Sequence, residues 1–227
     1  MIYITPMKNY LLLFCFLVIV LSCETGEEAV DPDRIFSFYE LSYDHNDDKT
    51  LARASLSLDG PEGDLVKLTG PAGISFNGRD LVFNPENRIH FIEYDGRVDS
   101  GTFIYIDGDN NTFTNSTPKL SEIALPPIER FSRDEDLLFR WIGDPVGEKE
   151  TVMLTLEGSE RSTTFLSSEP GSTEFVILAS DIRTLDKYGS GVMKLQRNYD
   201  SYMNAGNAIG GRMSMRYTTE EFVLFGN

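Results

Sequence analysis

"GTFIYIDGDNNTFTN", residues 101–115, holds two short runs of aromatic, β-branched and threonine residues around Asp107-Gly108-Asp109-Asn110-Asn111. Alternation of Phe103 and Tyr105 with Ile104 and Ile106 has the two-residue period of a pleated strand, and Gly and Asn supply the positive φ that a tight hairpin requires. The stretch therefore predicts a strand, a turn and a second strand. The same signature recurs before it, in "IFSFYELSY", "LARASLSL", "DLVKLTG", "GISFNGRDLVFN" and "NRIHFIEYDG". It resumes further on in "LLFRWIGDP", "ETVMLTLEG", "STTFLS", "TEFVILAS", "GVMKLQRNY" and "GGRMSMRYTTEEFVLF". Many short strands separated by Gly, Pro, Asn and Asp predict an all-β chain built as a sandwich or barrel.

Between the two sets lies "STPKLSEIALPP", residues 116–127, whose Pro118, Pro126 and Pro127 are incompatible with the middle of a sheet. This stretch predicts a boundary, with one β-sandwich domain over 34–117 and a second over 118–227. In the second half "SDIRTLDKYG" predicts a short helix near 180–188. Ser180 is placed to cap it, Ile182, Leu185 and Tyr188 fall near helical spacing, and Gly189 ends it. Leu137, Phe139 and Trp141 alternate with Arg140, so the single tryptophan is expected in the core rather than stacked on a sugar. A buried Trp on an early strand resembles fibronectin-type and immunoglobulin-like modules. The resemblance implies two tandem immunoglobulin-like sandwiches, without the cysteine pair of antibody domains.

At the amino terminus Lys8 precedes eleven apolar residues, Leu11 to Leu21, followed by Ser22 and Cys23. Eleven residues are too few to span about 30 Å of hydrocarbon, which takes about 20 in a helix. A positive residue, an apolar core and a small residue before the cut describe an export signal over 1–22. Val20-Leu21-Ser22-Cys23 resembles the lipobox of bacterial lipoproteins, which implies that Cys23 is lipidated and becomes the first mature residue. Glu24, Glu27 and Glu28 lie in a tether over 23–33, and this acidic segment resembles the surface-export signal of lipoproteins from the Bacteroidota. The two resemblances imply a chain anchored in the cell envelope, at the outer membrane and exposed on the surface.

The chain carries 20 Lys and Arg against 36 Asp and Glu, a net charge of −16. Removal of residues 1–22, which hold one Lys and no acid, leaves −17. Such a charge repels nucleic acid, which is not expected as a partner. The only cysteines are Cys15 and Cys23, in the signal and at the anchor, so the mature body has no thiol for a disulfide, a thiolate metal site or a nucleophile.

Two acidic stretches, Asp44-His45-Asn46-Asp47-Asp48 and the turn at Asp107, echo the start of a calcium loop. Where an EF-hand needs Gly at position six and Glu at position twelve they carry Lys49 and Ser55, or Thr112 and Pro118. Both are read as hairpin turns, and neither a metal site nor a cofactor is predicted. His45 and His90 are the only histidines. His45 sits in an acidic turn, and His90 in "NRIHFIEY" is read as lying on a sheet surface. No GxSxG elbow occurs, and the adjacent pairs Glu220-Glu221 and Asp134-Glu135 point to opposite faces of a strand. No catalytic residue is assigned.

The candidate ligand loop is "QRNYDSYMNAGNAIGGRM", where Arg197, Asn198, Tyr199, Tyr202, Asn204 and Asn207 gather aromatic and amide groups on a predicted connection. The favoured function is a membrane-anchored binding or assembly module that performs no chemistry and engages an envelope protein or polysaccharide. The alternative is a carbohydrate-active or other hydrolase whose carboxylates converge only in the fold. That alternative needs a concave pocket with two carboxyl groups about 5 to 9.5 Å apart.

Overall fold

In the computed structural model, residues 30–185 and 189–225 are described. The expected lipidation site Cys23, most of its tether, and Asp186 to Tyr188 of the predicted helix lie outside them. Among the described residues seventeen strands follow in chain order: β1 (Ile35–Asp44), β2 (Lys49–Leu58), β3 (Gly73–Phe76), β4 (Arg79–Asp80), β5 (Val82–Asn84), β6 (Ile89–Asp95), β7 (Thr102–Ile106), β8 (Thr112–Ser116), β9 (Ile123–Ala124), β10 (Arg130–Phe131), β11 (Leu137–Arg140), β12 (Ile142–Gly143), β13 (Glu150–Glu157), β14 (Ser162–Ser167), β15 (Glu174–Ile177), β16 (Gly189–Tyr202) and β17 (Gly211–Phe225). The one α-helix among them, α1 (Ala179–Thr184), follows β15, and a single 3-10 turn at Pro32–Arg34 precedes β1.

The protein is all-β. Nine strands form one sheet in the order β14-β13-β16-β17-β1-β2-β6-β5, with β10 paired to the end of β17. Facing it are the four-stranded sheet β4-β3-β7-β8 and the two-stranded sheets β11-β15 and β12-β9. The alternation that marks the strands also sorts their faces. In β1, Tyr39 and Leu41 sit opposite Ala54 and Ala52 of β2 and Met213 and Met215 of β17, one buried row across three strands. Tyr39 stacks on Phe103 of β7 at 4.8 Å between ring centroids, and Tyr94 of β6 meets Phe76 of β3 edge-on at 6.0 Å. Trp141 is buried against Phe175 of β15, 5.2 Å away, and its indole N–H donates to the Asp144 carbonyl at 3.1 Å. These rings belong to a single hydrophobic core that draws on both halves of the chain.

The expected division into domains 34–117 and 118–227 is corrected by this topology. β1 pairs in parallel with β17 over eight residues, Ser37 with Gly211 through Asp44 with Thr218, so the large sheet crosses the predicted boundary. Residues 31–227 group as one compact unit. The prolines of 116–127 do lie outside long strands, but they route the chain past the sheet instead of separating two cores. The helix also starts one residue earlier than expected and ends sooner. Its N-cap is Leu178, and the Ala179 N–H is held at 2.8 Å by the Asp136 carboxylate rather than by Ser180. The turn at Asp107 is a hairpin between β7 and β8. Asp107 is buried and accepts from the Asp109 and Asn111 amides at 2.9 and 2.8 Å and from Asn111 Nδ2 at 3.0 Å.

Candidate functional site

The predicted ligand loop is mostly strand. β16 continues through Arg197, Asn198, Tyr199 and Tyr202, because each position from Gly189 to Tyr202 has a partner on β17, and Glu150 to Glu157 pair along its other edge. The connection itself is only residues 203–210. The strand's alternation then separates the six candidates, and the structure does not bring them together.

Arg197 points into the molecule and is 1% exposed. Its guanidinium bonds the Glu150 carboxylate at 2.7 Å, the Pro145 carbonyl at 3.2 Å and the Asp144 carbonyl. This is a buried structural ion pair that fixes the segment before β13. Tyr199 packs partly buried against the core, and Asn198, on the opposite face, accepts from Arg216 Nε at 3.2 Å. Asn207 is buried, and its amide donates to the Pro32 carbonyl at 2.5 Å, tying the loop to the 3-10 turn.

Tyr202 and Asn204 remain available. Tyr202 ends β16 with 76% of its surface exposed, and Arg212, its cross-strand partner on β17, lays its guanidinium over the ring at 5.4 Å. Asn204 leaves its side chain exposed, while its backbone N–H donates to Asn115 Oδ1 at 3.1 Å. Asn115 is buried at the end of β8. It also accepts from the Ala205 N–H and donates to the Ala205 carbonyl, so this loop is held from the opposite sheet. Phe38, Lys149, Asp200, Met203 and Arg212 complete a shallow groove of about 690 Å3 around Tyr202 and Asn204. An aromatic face, two cations, one carboxylate and a free amide on a rigid sheet end can stack on a ring and hydrogen-bond polar groups around it.

Alternation in the sequence did not reveal which face of β16 each residue takes, since that depends on strands far away in the chain. Lys149, Phe38 and Arg212 were missed for the same reason. His90 was also misread. It lies on the inward face of β6 with Ile92 and Tyr94, is 5% exposed, and burial pushes its imidazole below its ordinary pKa of 6.5. His45 sits beside Tyr217, its Nδ1 3.3 Å from the phenol oxygen. Among the described residues there is no group of three His, Cys, Asp or Glu side chains arranged to hold a metal ion, and no helix long and apolar enough to cross a membrane. No protein-family model matches this chain, and a comparison with curated proteins gives no match.

Proposed function

We propose that the protein is a lipoprotein of the cell envelope, held on the outer membrane through acyl groups on Cys23, whose β-sandwich binds a partner and performs no chemistry. The observation that carries this reading is the apolar run Leu11 to Leu21 closed by Ser22 and Cys23. Each buried acyl methylene contributes about 0.8 kcal/mol, so two or more chains hold a soluble body stably without a spanning helix. The acidic residues Glu24, Glu27 and Glu28 favour exposure at the cell surface. A partner of the envelope, protein or polysaccharide, fits the groove around Tyr202 better than nucleic acid does, given the net charge of −16.

The test is a pull-down from the native envelope with the natively lipidated protein. A partner captured saturably by the wild type and lost with the Tyr202→Ala, Arg212→Ala double variant supports the groove as the contact surface. Equal capture by the double variant moves recognition elsewhere on the molecule.

A further inference from the structure

β14 ends one side of the nine-stranded sheet and, at six residues, is the longest described strand with a neighbour on one side only. Its register with β13 runs unbroken from Val152 and Ser167 to Glu157 and Ser162, and the hairpin closes where the Gly158 N–H donates to the Arg161 carbonyl at 2.8 Å. In an antiparallel ladder such bonded pairs recur at every second residue. Thr163, Phe165 and Ser167 therefore spend their backbone groups on β13, while Ser162, Thr164 and Leu166 turn theirs to the open edge. Among the described residues no backbone hydrogen bond meets them there.

Folded proteins protect such an edge with a charge, a proline, a bulge or a very short strand. β5, at the other end of this sheet, has only three residues. β14 has none of these protections: Ser162 to Ser167 hold no charge and no proline, and Leu166 is 63% exposed. Phe165 packs against the core and the Thr155 and Thr164 hydroxyls lie 3.1 Å apart, so the strand is held extended. Three N–H and three carbonyl groups along one line match the backbone of an added strand.

The strand also suits itself. A two-fold axis at Thr164 sets an antiparallel copy against it, with Thr164 opposite Thr164 and Ser162 opposite Leu166 of the other copy, so that every open position is bonded. Phe165 then meets Thr163 across the seam, an aromatic and β-branched pair. Past the strand ends Arg161 lies diagonally across from Glu169 of the other copy, twice by symmetry, and both residues are exposed. Glu160 falls opposite Ser168 rather than another acid. The flanks are therefore complementary although each chain carries a net charge of −16.

We propose that β14 pairs with β14 of a second copy of this chain, antiparallel about Thr164, joining two nine-stranded sheets into one. The seam is short, which makes the dimer weak and concentration-dependent. The proposal does not depend on lipidation or on the Tyr202 groove.

Cysteine cross-linking of the full-length chain in its native envelope reads the two-fold axis. Opposed Cα atoms of a bonded antiparallel pair lie about 5.5 Å apart, inside the range a disulfide spans. Thr164→Cys is expected to give a disulfide-linked dimer under mild oxidation. Thr155→Cys, directly opposite Thr164 but one strand further in, places its two thiols about 15 Å apart and should give none. Both variants keep Cys23, so a link through that residue would appear equally in each. Mixed Ser162→Cys and Leu166→Cys chains should link to each other more than either does to itself. Thr164→Lys keeps the backbone bonds to β13 and sets like charges opposite each other, so the purified variant should sediment as a monomer where the wild type is part dimer. A Thr164→Cys dimer no more abundant than that of Thr155→Cys, a wild type monomeric at every concentration, or a dimer untouched by Thr164→Lys overturns the proposal. A link from Thr164→Cys to a different protein also overturns it, because the edge would then take a foreign strand.

Discussion

At the residue scale the candidates of β16 divide by what each side chain touches. Arg197, itself closed off from water, neutralises the partly buried Glu150 and satisfies two carbonyls, and removing it leaves that carboxylate with only the Gly147 N–H and two carbonyl acceptors without this donor. Arg197→Ala is therefore expected to lower unfolding free energy by about 3 to 5 kcal/mol in urea titrations. Tyr202→Ala, five residues along the same strand, should change it by no more than about 0.5 kcal/mol, because the ring is exposed. Equal losses for the two would contradict the assignment of one to structure and the other to a free surface. His90 makes a prediction in pH. Its folded pKa lies below 6.5, so as pH falls through and below that value the unfolded chain takes up a proton that the buried ring refuses. Stability contributed by the neutral ring is complete above pH 6.5 and is lost toward acid. Between pH 7.5 and 5.5 the wild type should lose more stability than His90→Phe, and parallel curves would show that the ring titrates as freely in the fold as outside it.

At the element scale most strands were legible, for a physical reason. Half-buried strands must alternate, so "ETVMLTLEG" and "LLFRW" carry their inward faces in their own order of residues. β16 was cut short because Asn198, Asp200 and Asn204 are turn-type residues, and local preference favours a loop there. The observed strand persists because β17 offers it backbone partners at fourteen positions, a constraint outside the segment's own sequence. The close meeting of β17 with β1 depends on Gly211, where an added Cβ would collide with the Ser37 carbonyl oxygen and the Met203 side chain. Gly211→Ala should cost about 1 to 3 kcal/mol, read as a fall of several degrees in Tm. Gly189→Ala, where an added Cβ meets nothing within 4 Å, is the control and should leave Tm unchanged or slightly raised. A neutral Gly211→Ala would mean that β1 and β17 are not packed this closely.

At the scale of the whole molecule, the all-β class was readable and the connectivity was not. Hairpins such as β7-β8 announce themselves through their turns, but nothing local in "IFSFYELSY" says that it will lie parallel to a strand near the other end of the chain. That single pairing merges two expected domains. It follows that residues 34–117 or 118–227 expressed alone should not fold, because each would lose one side of the β1-β17 seam, and that the intact chain should unfold in one calorimetric transition. Two resolved transitions, or a folded fragment, would restore the two-domain division. The candidate site was legible only in part: Tyr202 and Asn204 came from the sequence, whereas Arg212, Lys149 and Phe38 reach them through pairing and a turn.

Lipidation of Cys23 underlies the proposed function, and the mass of the mature amino-terminal peptide tests it most directly. Protein extracted from its native envelope should yield a peptide that begins at Cys23 and carries diacylglycerol on Sγ, and a Cys23→Ala variant should incorporate no labelled palmitate. An unmodified Cys23, or a chain still bearing residues 1–22, would contradict it.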